Sequence, residues 1–599
     1  MNVVSCGGGN SDTPLPANPS PSNPAPVPMP EPSPELEVDS TFANQAQTAR
    51  FLTQATFGPK YDNIIKLTES SASAWLLAQF ELPIDTHLSR IADYKSAAPN
   101  NEQNRYSSAT TTFTFWTSAI NGEDQLRQRM VFALSQLLVV SSNGGDVLHD
   151  VPEAVGLYLD ILNEHAFGNY RDLLEAITFS PAMANYLTYL GNEKGDPTTG
   201  RVPDENYARE LLQLFTIGLL ALEMDGRLAT NAQNEVIELY TNEDITGLAK
   251  VFTGLHLDFA SADRRDDFFT QRTQLYARAL AIYPENHSTL EKSFLGLTIP
   301  ANTGARESIN IALDHIMSQA SVAPFVSRQL IQRFTTSHPS PQYIERVATA
   351  FEIGEFTLPD GRQIGDKRKG DLKATIAAIL FDPDARNEAL PETPVNVFGK
   401  IREPVIRFAN WARAFDVENV TPEFTMPLWY TSGSGALGQH PIRPRSVFNF
   451  YRPGYIAPNS VSGEQALTVP ELQIMNASTI PGFTNFMAWF VSGGHADLTE
   501  DEVNALQQAF DDESIAIDAR NALNSFVANY DDELDLANDI DALLDRLDLL
   551  LTYDRMSLAT KQHISDTISL IPLENDGPQL RVFLAIVMVL TSTDFVVQR

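Results

Sequence analysis

The sequence predicts a mainly α-helical fold: one large multi-helix globular body with few short strands, preceded by a disordered, proline-rich tether. Hydrophobic residues make up 43 % of the 599 residues and charged residues 20 %, which is typical of a folded protein. From Thr41 onward, apolar residues recur at helical spacing between repeated helix start and stop signals. Ten prolines between residues 14 and 34 argue against a helix or a packed core there. We therefore divide the chain into a tether over 1–40 and a helical body over 41–599.

Side chains that accept hydrogen bonds from a first helical turn place several helix N termini. These N-cap residues are Asp124, Ser180, Thr241, Ser340 and Asp371. The helices that they start are expected over residues 125–140, 181–190, 242–254, 342–351 and 372–381. Thr241 and Asp244 form a predicted capping box, and Gly191 is the expected left-handed cap of the second helix. Residues 362–364 are a candidate hairpin remnant.

The charge balance excludes some classes of partner. The net charge is −34, which argues against non-specific nucleic-acid binding and against electrostatic docking onto anionic lipid. The longest apolar run near the C terminus, residues 582–590, is shorter than the ~20 residues that span a bilayer and predicts a buried core helix. Any membrane attachment is therefore expected through a lipid anchor alone.

Cys6 is the single cysteine, so the chain has no intrachain disulfide and no multi-cysteine metal site. Residues 3–6, Val-Val-Ser-Cys, resemble a bacterial lipobox, and a glycine run and the proline-rich tether follow them. This pattern makes Cys6 the candidate lipid-attachment residue. Only five residues precede it, too few for the basic and apolar parts of a signal peptide. Either the true start lies further upstream, or Cys6 is an ordinary free thiol.

The segment 500–555 is rich in acidic residues and poor in basic ones, and leucines at helical spacing lie between them. We interpret it as an acidic helical subregion with a solvated charged face. Calcium binding is the alternative, although the segment contains no EF-hand loop.

The richest polar pattern lies on a predicted helix that starts near Pro203. At 100° per residue, one arc of this helix collects six polar residues, here called the polar face. They are Glu205, Asn206, Arg209, Glu210, Gln213 and Thr216. The polar face is an ordinary ion-paired helix surface, a buried ion-pair network that joins neighbouring helices, or an active site. In an active site, Glu210 would be the general acid or base, Arg209 an anion clamp and Asn206 a donor to substrate.

Histidines and aromatic residues supply the other candidates. The ten histidines include no pair at metal-ligand spacing, so we predict no metal site, and the residues point to no particular cofactor. His287, in a loop-like stretch, is the histidine most worth testing as a catalytic residue. Segment 439–458, here called the aromatic–arginine segment, suits glycan binding by stacking and bidentate contacts, or forms a buried seam. Its ligand-binding candidates are Arg443, Arg445, Phe450, Tyr451 and Arg452.

Eight segments together resemble a known bacterial family, the domain of unknown function 1800 family. They lie at residues 50–59, 166–174, 203–218, 249–254, 370–373, 402–404, 446–453 and 593–595. The resemblance covers nearly everything after the tether. One difference lies just after segment 249–254. Members of the family often carry a tryptophan close to its final glycine, whereas this chain has His256 two residues after that glycine.

This resemblance implies an exported protein without an established activity. We expect a lipoprotein anchored in the bacterial envelope, at the outer membrane, or an extracellular protein. Gene neighbourhood in the family implies a partner of the domain of unknown function 1501 family, which is similar to sulfatase and alkaline-phosphatase folds. The leading hypothesis is a binding or assembly component. The alternative is a hydrolase or polysaccharide-modifying enzyme that uses the polar face.

Overall fold

Capped amphipathic helices make up most of the protein in the computed structural model, as the sequence predicts. The structure describes residues 41–97, 109–261, 268–387, 398–419, 428, 430–492 and 526–599, all within the unit Glu37–Arg599. Cys6, the tether and residues 500–525 of the acidic segment lie outside the described residues.

The described part of the N-terminal half contains fourteen α-helices. They are α1 (Gln45–Ala55), α2 (Tyr61–Thr68), α3 (Ala72–Glu81), α4 (His87–Ala97), α5 (Ala109–Asn121), α6 (Gln125–Ser135), α7 (Asp146–Asp150), α8 (Pro152–His165), α9 (Tyr170–Thr178), α10 (Pro181–Tyr186), α11 (Asn206–Glu210), α12 (Asn242–Ala249), α13 (Phe268–Tyr276) and α14 (Ala305–Met317). A π-helix, Leu211–Thr216, directly continues α11.

Twelve further α-helices follow in the described part of the C-terminal half. They are α15 (Val322–Phe334), α16 (Pro341–Ile353), α17 (Leu372–Leu380), α18 (Pro383–Arg386), α19 (Pro404–Ala414), α20 (Val461–Glu464), α21 (Thr479–Val491), α22 (Asp531–Asp535), α23 (Ile540–Leu547), α24 (Leu558–Ile568), α25 (Gly577–Thr591) and α26 (Thr593–Val596).

The described strands are two or three residues long and form five antiparallel pairs. The pairs are β1 (Leu255–His256) with β2 (Ala281–Ile282), β3 (Lys292–Phe294) with β4 (Leu297–Ile299), β5 (Phe356–Thr357) with β6 (Gln363–Ile364), β7 (Lys400–Ile401) with β10 (Val597–Gln598), and β8 (Glu418–Asn419) with β9 (Phe526–Val527). The hairpin expected around residues 362–364 is β5–β6. In addition, single bridges and backbone hydrogen bonds hold residues 219–239 as an extended ribbon.

Four of the five predicted N-caps are made by side chains. Thr241 and Asp244 form the full capping box, and Ser180, Ser340 and Asp371 each accept a backbone N–H from the first turn. Asp124 precedes α6 without a side-chain cap bond, and its carboxylate instead accepts from the Gln128 amide at 2.9 Å. Local side-chain chemistry therefore fixes where these helices start.

Three predicted helices end earlier than expected. α12 stops at Ala249, and a 3₁₀-helix, Lys250–Phe252, continues it. α6 stops at Ser135, whose hydroxyl donates to the Phe132 carbonyl at 2.8 Å and competes with the helix ladder. α10 stops at Tyr186, and Thr188 adopts a left-handed conformation. Gly191 is also left-handed (φ +72°), but its N–H donates to Leu255 at 2.9 Å instead of capping α10.

Most of the described core is one continuous apolar cluster, and Tyr94, Ala109 and Phe113 form a small second one. The predicted core helix over residues 582–590 lies within α25, whose Val582, Ile586 and Val589 are fully buried. In the acidic segment, Leu543 and Leu547 of α23 are buried beneath exposed carboxylates, as expected for a charged helix face. No helix among the described residues is long and apolar enough to cross a bilayer.

Buried arginines tie distant backbone segments together. Arg413 donates to the carbonyls of Gly58 (2.8 Å) and Ile120 (2.6 Å), joining α19 to the segments that end α1 and α5. Arg129 likewise donates to Thr56 (3.1 Å) and Arg333 (2.9 Å). Burial lowers the pKa of both guanidinium groups to about 10, which leaves them charged at neutral pH.

Replacing Arg413 with Met is expected to lower the free energy of unfolding by about 2–5 kcal/mol, because two buried carbonyls lose their donors. Denaturant unfolding of the Arg413→Met variant measures this loss. Arg445 is exposed, so Arg445→Met is the matched control and should change stability by less than about 1 kcal/mol. A loss of equal size in both variants would contradict the structural role of Arg413.

Candidate functional site

The predicted polar face is divided by a change of helix type. α11 ends at Glu210, and the π-helix Leu211–Thr216 then adds one residue to the turn. The hydroxyl of Thr216 donates to the Leu211 carbonyl, five residues earlier, at 2.5 Å. Because a π turn rotates the following residues away from their α-helical directions, the expected single arc does not form. Instead, Thr216 is fully buried, and Gln213 lines a pocket.

The first three polar-face residues lie on the half-exposed surface. Glu205 accepts from the Thr246 hydroxyl at 2.7 Å and from Arg209 at 3.4 Å. The amide of Asn206 donates to the Thr188 hydroxyl at 3.4 Å. Both members of the Glu205–Arg209 pair are more than one-third exposed, so the pair contributes little to stability. These contacts match the ion-paired helix surface that the sequence left as one interpretation.

Glu210 is in a different environment from the rest of the polar face. It is 8 % exposed, and its Oε2 has no hydrogen-bond partner among the described residues. Burial raises its pKa, and neighbouring Arg209 opposes that shift. Burial and then the negative charge of Glu210 raise the pKa of Tyr186 and of Tyr240 to about 12. Glu210 is thus a buried acid flanked by two neutral phenols.

His287 is a buried histidine with hydrogen-bond partners at both ring nitrogens. Nδ1 lies 2.8 Å from the Thr253 carbonyl, and Nε2 lies 3.5 Å from the Ser308 hydroxyl. The residue is 4 % exposed, and burial lowers its pKa. Both partners lie outside the polar face, so these contacts give His287 a packing role between the segments around β1 and α14.

The five ligand-binding candidates of the aromatic–arginine segment lie in different environments. Arg443 is buried and donates to the Ser142 hydroxyl at 3.1 Å. Arg445 and Arg452 are exposed, and the Arg452 guanidinium lies 4.9 Å from the ring centroid of Phe448. Phe450 is half-buried. Of the five candidates, Tyr451 alone is among the residues that line the pocket described next.

A pocket of about 340 Å³ brings together residues 203–218, here called the polar-face segment, and the aromatic–arginine segment. We call it the Arg328 pocket. Gln213 and Gly218 come from the first segment, Asn449 and Tyr451 from the second, and Arg328 from α15. Its volume lies within the range of small-molecule sites. Rim residues Leu219 and Phe448 are 54 % and 40 % exposed, so the pocket opens to solvent.

The polar floor of the Arg328 pocket is held by a buried network. The Tyr451 hydroxyl donates to Gln136 at 3.2 Å, and the Gln136 amide donates to Glu403 at 2.8 Å. Gln439 also donates to this Glu403 oxygen. Burial, followed by the charges of Glu403 and Glu471, holds the pKa of Tyr451 well above its usual value. Tyr451 is therefore a protonated donor rather than a nucleophile.

Two arginines of α15 make the Arg328 pocket positive. Arg333 is 2 % exposed, and its Nε has no hydrogen-bond partner among the described residues. Arg328 is half-buried, and burial lowers its pKa. In the part of the chain that the structure describes, Arg328 has no ion-pair or hydrogen-bond partner. The lining residues Gln, Asn, Arg and Tyr suit binding of a polar or anionic group.

Sequence reasoning missed Arg328, Arg333 and Asn449, although a signal was present. The chain has 76 acidic residues, yet none lies between Asp314 and Glu345, where both arginines stand. Asn449 and Tyr451 fall in a second acid-free stretch, between Glu423 and Glu464. Long acid-free stretches in so acidic a chain mark two of the segments that form the Arg328 pocket.

A second pocket, of about 490 Å³, lies beside Gly58 and Pro59. Of its three cations, Lys60 pairs with Asp416 at 2.5 Å, Arg413 binds backbone carbonyls, and Lys66 is exposed to solvent. The described residues contain no group of three His, Cys, Asp or Glu side chains placed to hold a metal ion. The Arg328 pocket is therefore the candidate binding site, and Glu210 the candidate acid.

The Glu210→Gln variant is expected to be more stable than the parent at neutral pH. Because the folded-state pKa of Glu210 is raised, its contribution to stability is full below the unfolded-state pKa and is lost as pH rises through the folded-state value. Gln carries no charge at any pH, so the gain should be on the order of 1 kcal/mol near pH 7 and should vanish near about pH 4.

Urea unfolding at several pH values measures this difference. Glu205→Gln, at the half-exposed start of the same helix, is the control and should show a difference below about 0.5 kcal/mol. A Glu210→Gln variant that is less stable at neutral pH would mean that the carboxylate is ionised and bonded in the folded protein.

The full sequence matches the family model described as "Protein of unknown function (DUF1800)" over residues 50–597. No curated protein and no solved structure matches it. The matched residues include the polar-face segment, the aromatic–arginine segment and the whole Arg328 pocket. The resemblance drawn from the eight segments is thus confirmed, and the chain belongs to the DUF1800 family.

Proposed function

We propose that this protein is a bacterial cell-envelope lipoprotein that acts as a binding or assembly component, with the Arg328 pocket as its binding site. One observation carries the proposal. Two of the segments that resemble the family, 203–218 and 446–453, are distant in sequence and meet in this pocket. Their polar lining groups are amides, guanidinium groups and a protonated phenol, which bind ligands without reacting with them.

Filling the pocket should therefore abolish binding of envelope material. Leu219 is a rim residue that is 54 % exposed, so Leu219→Trp adds bulk there without disturbing the core. We expect the parent protein to recover a protein or polymer from an envelope extract, and Leu219→Trp to recover less than about one-tenth as much. The measurement is affinity capture followed by mass spectrometry and sugar analysis.

Leu570→Trp is the control for that capture, because Leu570 is 83 % exposed and lies outside the pocket lining. It should recover the same material as the parent. Capture that is equal in all three proteins, or absent in all three, would contradict a binding role for the pocket. The partners proposed for the capture are a protein of the domain of unknown function 1501 family and an envelope glycan.

The lipoprotein part of the proposal rests on the lipobox-like residues 3–6 and the proline-rich stretch after them. Expression of the gene with its native upstream region should give a product that incorporates labelled palmitate and fractionates with membranes. Cys6→Ser should remove the label and release the protein, because thioether acylation needs the sulfur and acyl chains supply the membrane affinity. Unlabelled parent protein, or label retained in Cys6→Ser, would contradict the anchor.

A hydrolase or polysaccharide-modifying enzyme is the second candidate function, and Glu210 is the observation that favours it. A buried carboxyl group with a raised pKa and an unpartnered oxygen is suited to donate a proton as a general acid. Arg209 and Asn206 lie on the same helix and would orient substrate. The Glu210→Gln variant separates the two roles, since an enzyme would lose turnover of envelope polysaccharide while remaining folded.

A further inference from the structure

We propose that the Arg328 pocket takes a small organic anion with an apolar body, its anionic group beside Arg328 and the Asn449 amide. This inference rests on the proposed binding function and names the chemical class of the ligand. It follows from the charge of the pocket, two unpartnered polar groups and the apolar character of the remaining lining.

The charge of the pocket is opposite to that of the protein. The chain carries a net charge of −34, yet the described lining contains two arginines and no acidic residue. Glu403 lies behind the floor, where it is fully buried and accepts from the Gln136 and Gln439 amides. The pocket is therefore a positive site on an acidic protein, which favours anions over cations.

Arg328 supplies the main attraction. Its guanidinium group is partly withdrawn from water, and no described carboxylate compensates its charge. The nearby ring of His338 adds no second positive charge, because its Nδ1 accepts the Thr468 N–H at 3.1 Å and burial, followed by the charge of Arg328, lowers its pKa. An arginine in this state gains a charge-assisted, bidentate partner when a carboxylate or phosphate enters.

Asn449 supplies a second donor by independent geometry. It is 6 % exposed, and its Nδ2 has no hydrogen-bond partner among the described residues. Its backbone is left-handed (φ +61°), a conformation that Asn tolerates better than other residues with side chains. A buried amide donor without an acceptor is costly, and a ligand oxygen in the pocket would satisfy it.

The remaining wall selects an apolar body. Leu214, Leu219, Leu222 and Phe325 form an apolar part of the wall, and Phe448 lies at the rim. Gly218 allows this wall to close, because it is left-handed (φ +74°) and a Cβ there would lie 3.0 Å from the Phe325 ring. Free inorganic phosphate would leave this wall in water, whereas an alkyl or aryl carboxylate would cover it.

Isothermal titration of the full-length protein with octanoate, octan-1-ol, octyltrimethylammonium and inorganic phosphate tests the inference. Octanoate should bind at least tenfold more tightly than the other three probes. Arg328→Gln should weaken octanoate binding by about 10- to 100-fold, as expected for loss of a charge-assisted pair. Arg362→Gln removes an exposed arginine outside the pocket lining and should leave the affinity unchanged within about twofold.

Asn449→Asp is the second variant, used if Arg328→Gln fails to fold. It keeps the side-chain size and the tolerance of a left-handed backbone but replaces the donor with a negative charge, so octanoate binding should be lost. Octan-1-ol or the ammonium probe binding as tightly as octanoate, or no octanoate binding at all, would overturn the inference. If either result is found but Leu219→Trp still abolishes capture of envelope material, the proposed binding function is supported and only the ligand class is wrong.

Discussion

Hydrogen bonds from buried guanidinium groups to distant backbone carbonyls are the constraint on which this fold depends. Arg413 and Arg129 join helices that are far apart in sequence, and Arg402 donates to Leu551 at 3.1 Å. Each guanidinium is nearly or fully buried, so each bond replaces water that the folded protein excludes. These bonds form only when each carbonyl lies within reach of its guanidinium group. They therefore favour one arrangement of the helices, whereas apolar packing alone would be less specific.

Several of the segments that resemble the family position buried polar groups or cap helices. Gly58 has a φ of +133°, and a Cβ there would lie 1.9 Å from the Asn410 amide, so only glycine allows its carbonyl to reach Arg413. In segment 402–404, Glu403 holds the amides behind the Arg328 pocket. Asp371 caps α17 and also accepts the Asp366 N–H at 2.9 Å. These segments shape the body, whereas 203–218 and 446–453 also form the walls of a binding pocket.

Features that depend on residues close together in sequence could be predicted, whereas features that depend on contacts between distant segments could not. Capped starts such as those at Thr241, Ser340 and Asp371 depend on neighbours three residues away, and they were predicted correctly. The early ends of α6 and α10 were not predicted. α6 ends where the Ser135 hydroxyl competes with the helix ladder, and after α10 the Gly191 N–H donates to the Leu255 carbonyl of β1, which is distant in sequence. The pocket was not predicted either. The acid-free stretches mark its arginines, but whether an arginine is unpaired depends on where the carboxylates lie in the fold.

The polar face shows the same limit in a different way. Its residues were chosen with an α-helical period, and that period ends at Glu210. The π-helix that follows contains one more residue per hydrogen-bonded turn, which offsets everything beyond Thr216 by about 100° from a continuous α-helix. The ribbon over residues 219–239 therefore departs in a direction that an uninterrupted helix would not supply. The orientation of the pocket rim thus depends on main-chain geometry, through the one extra residue of the π turn, as well as on the side chains that line it.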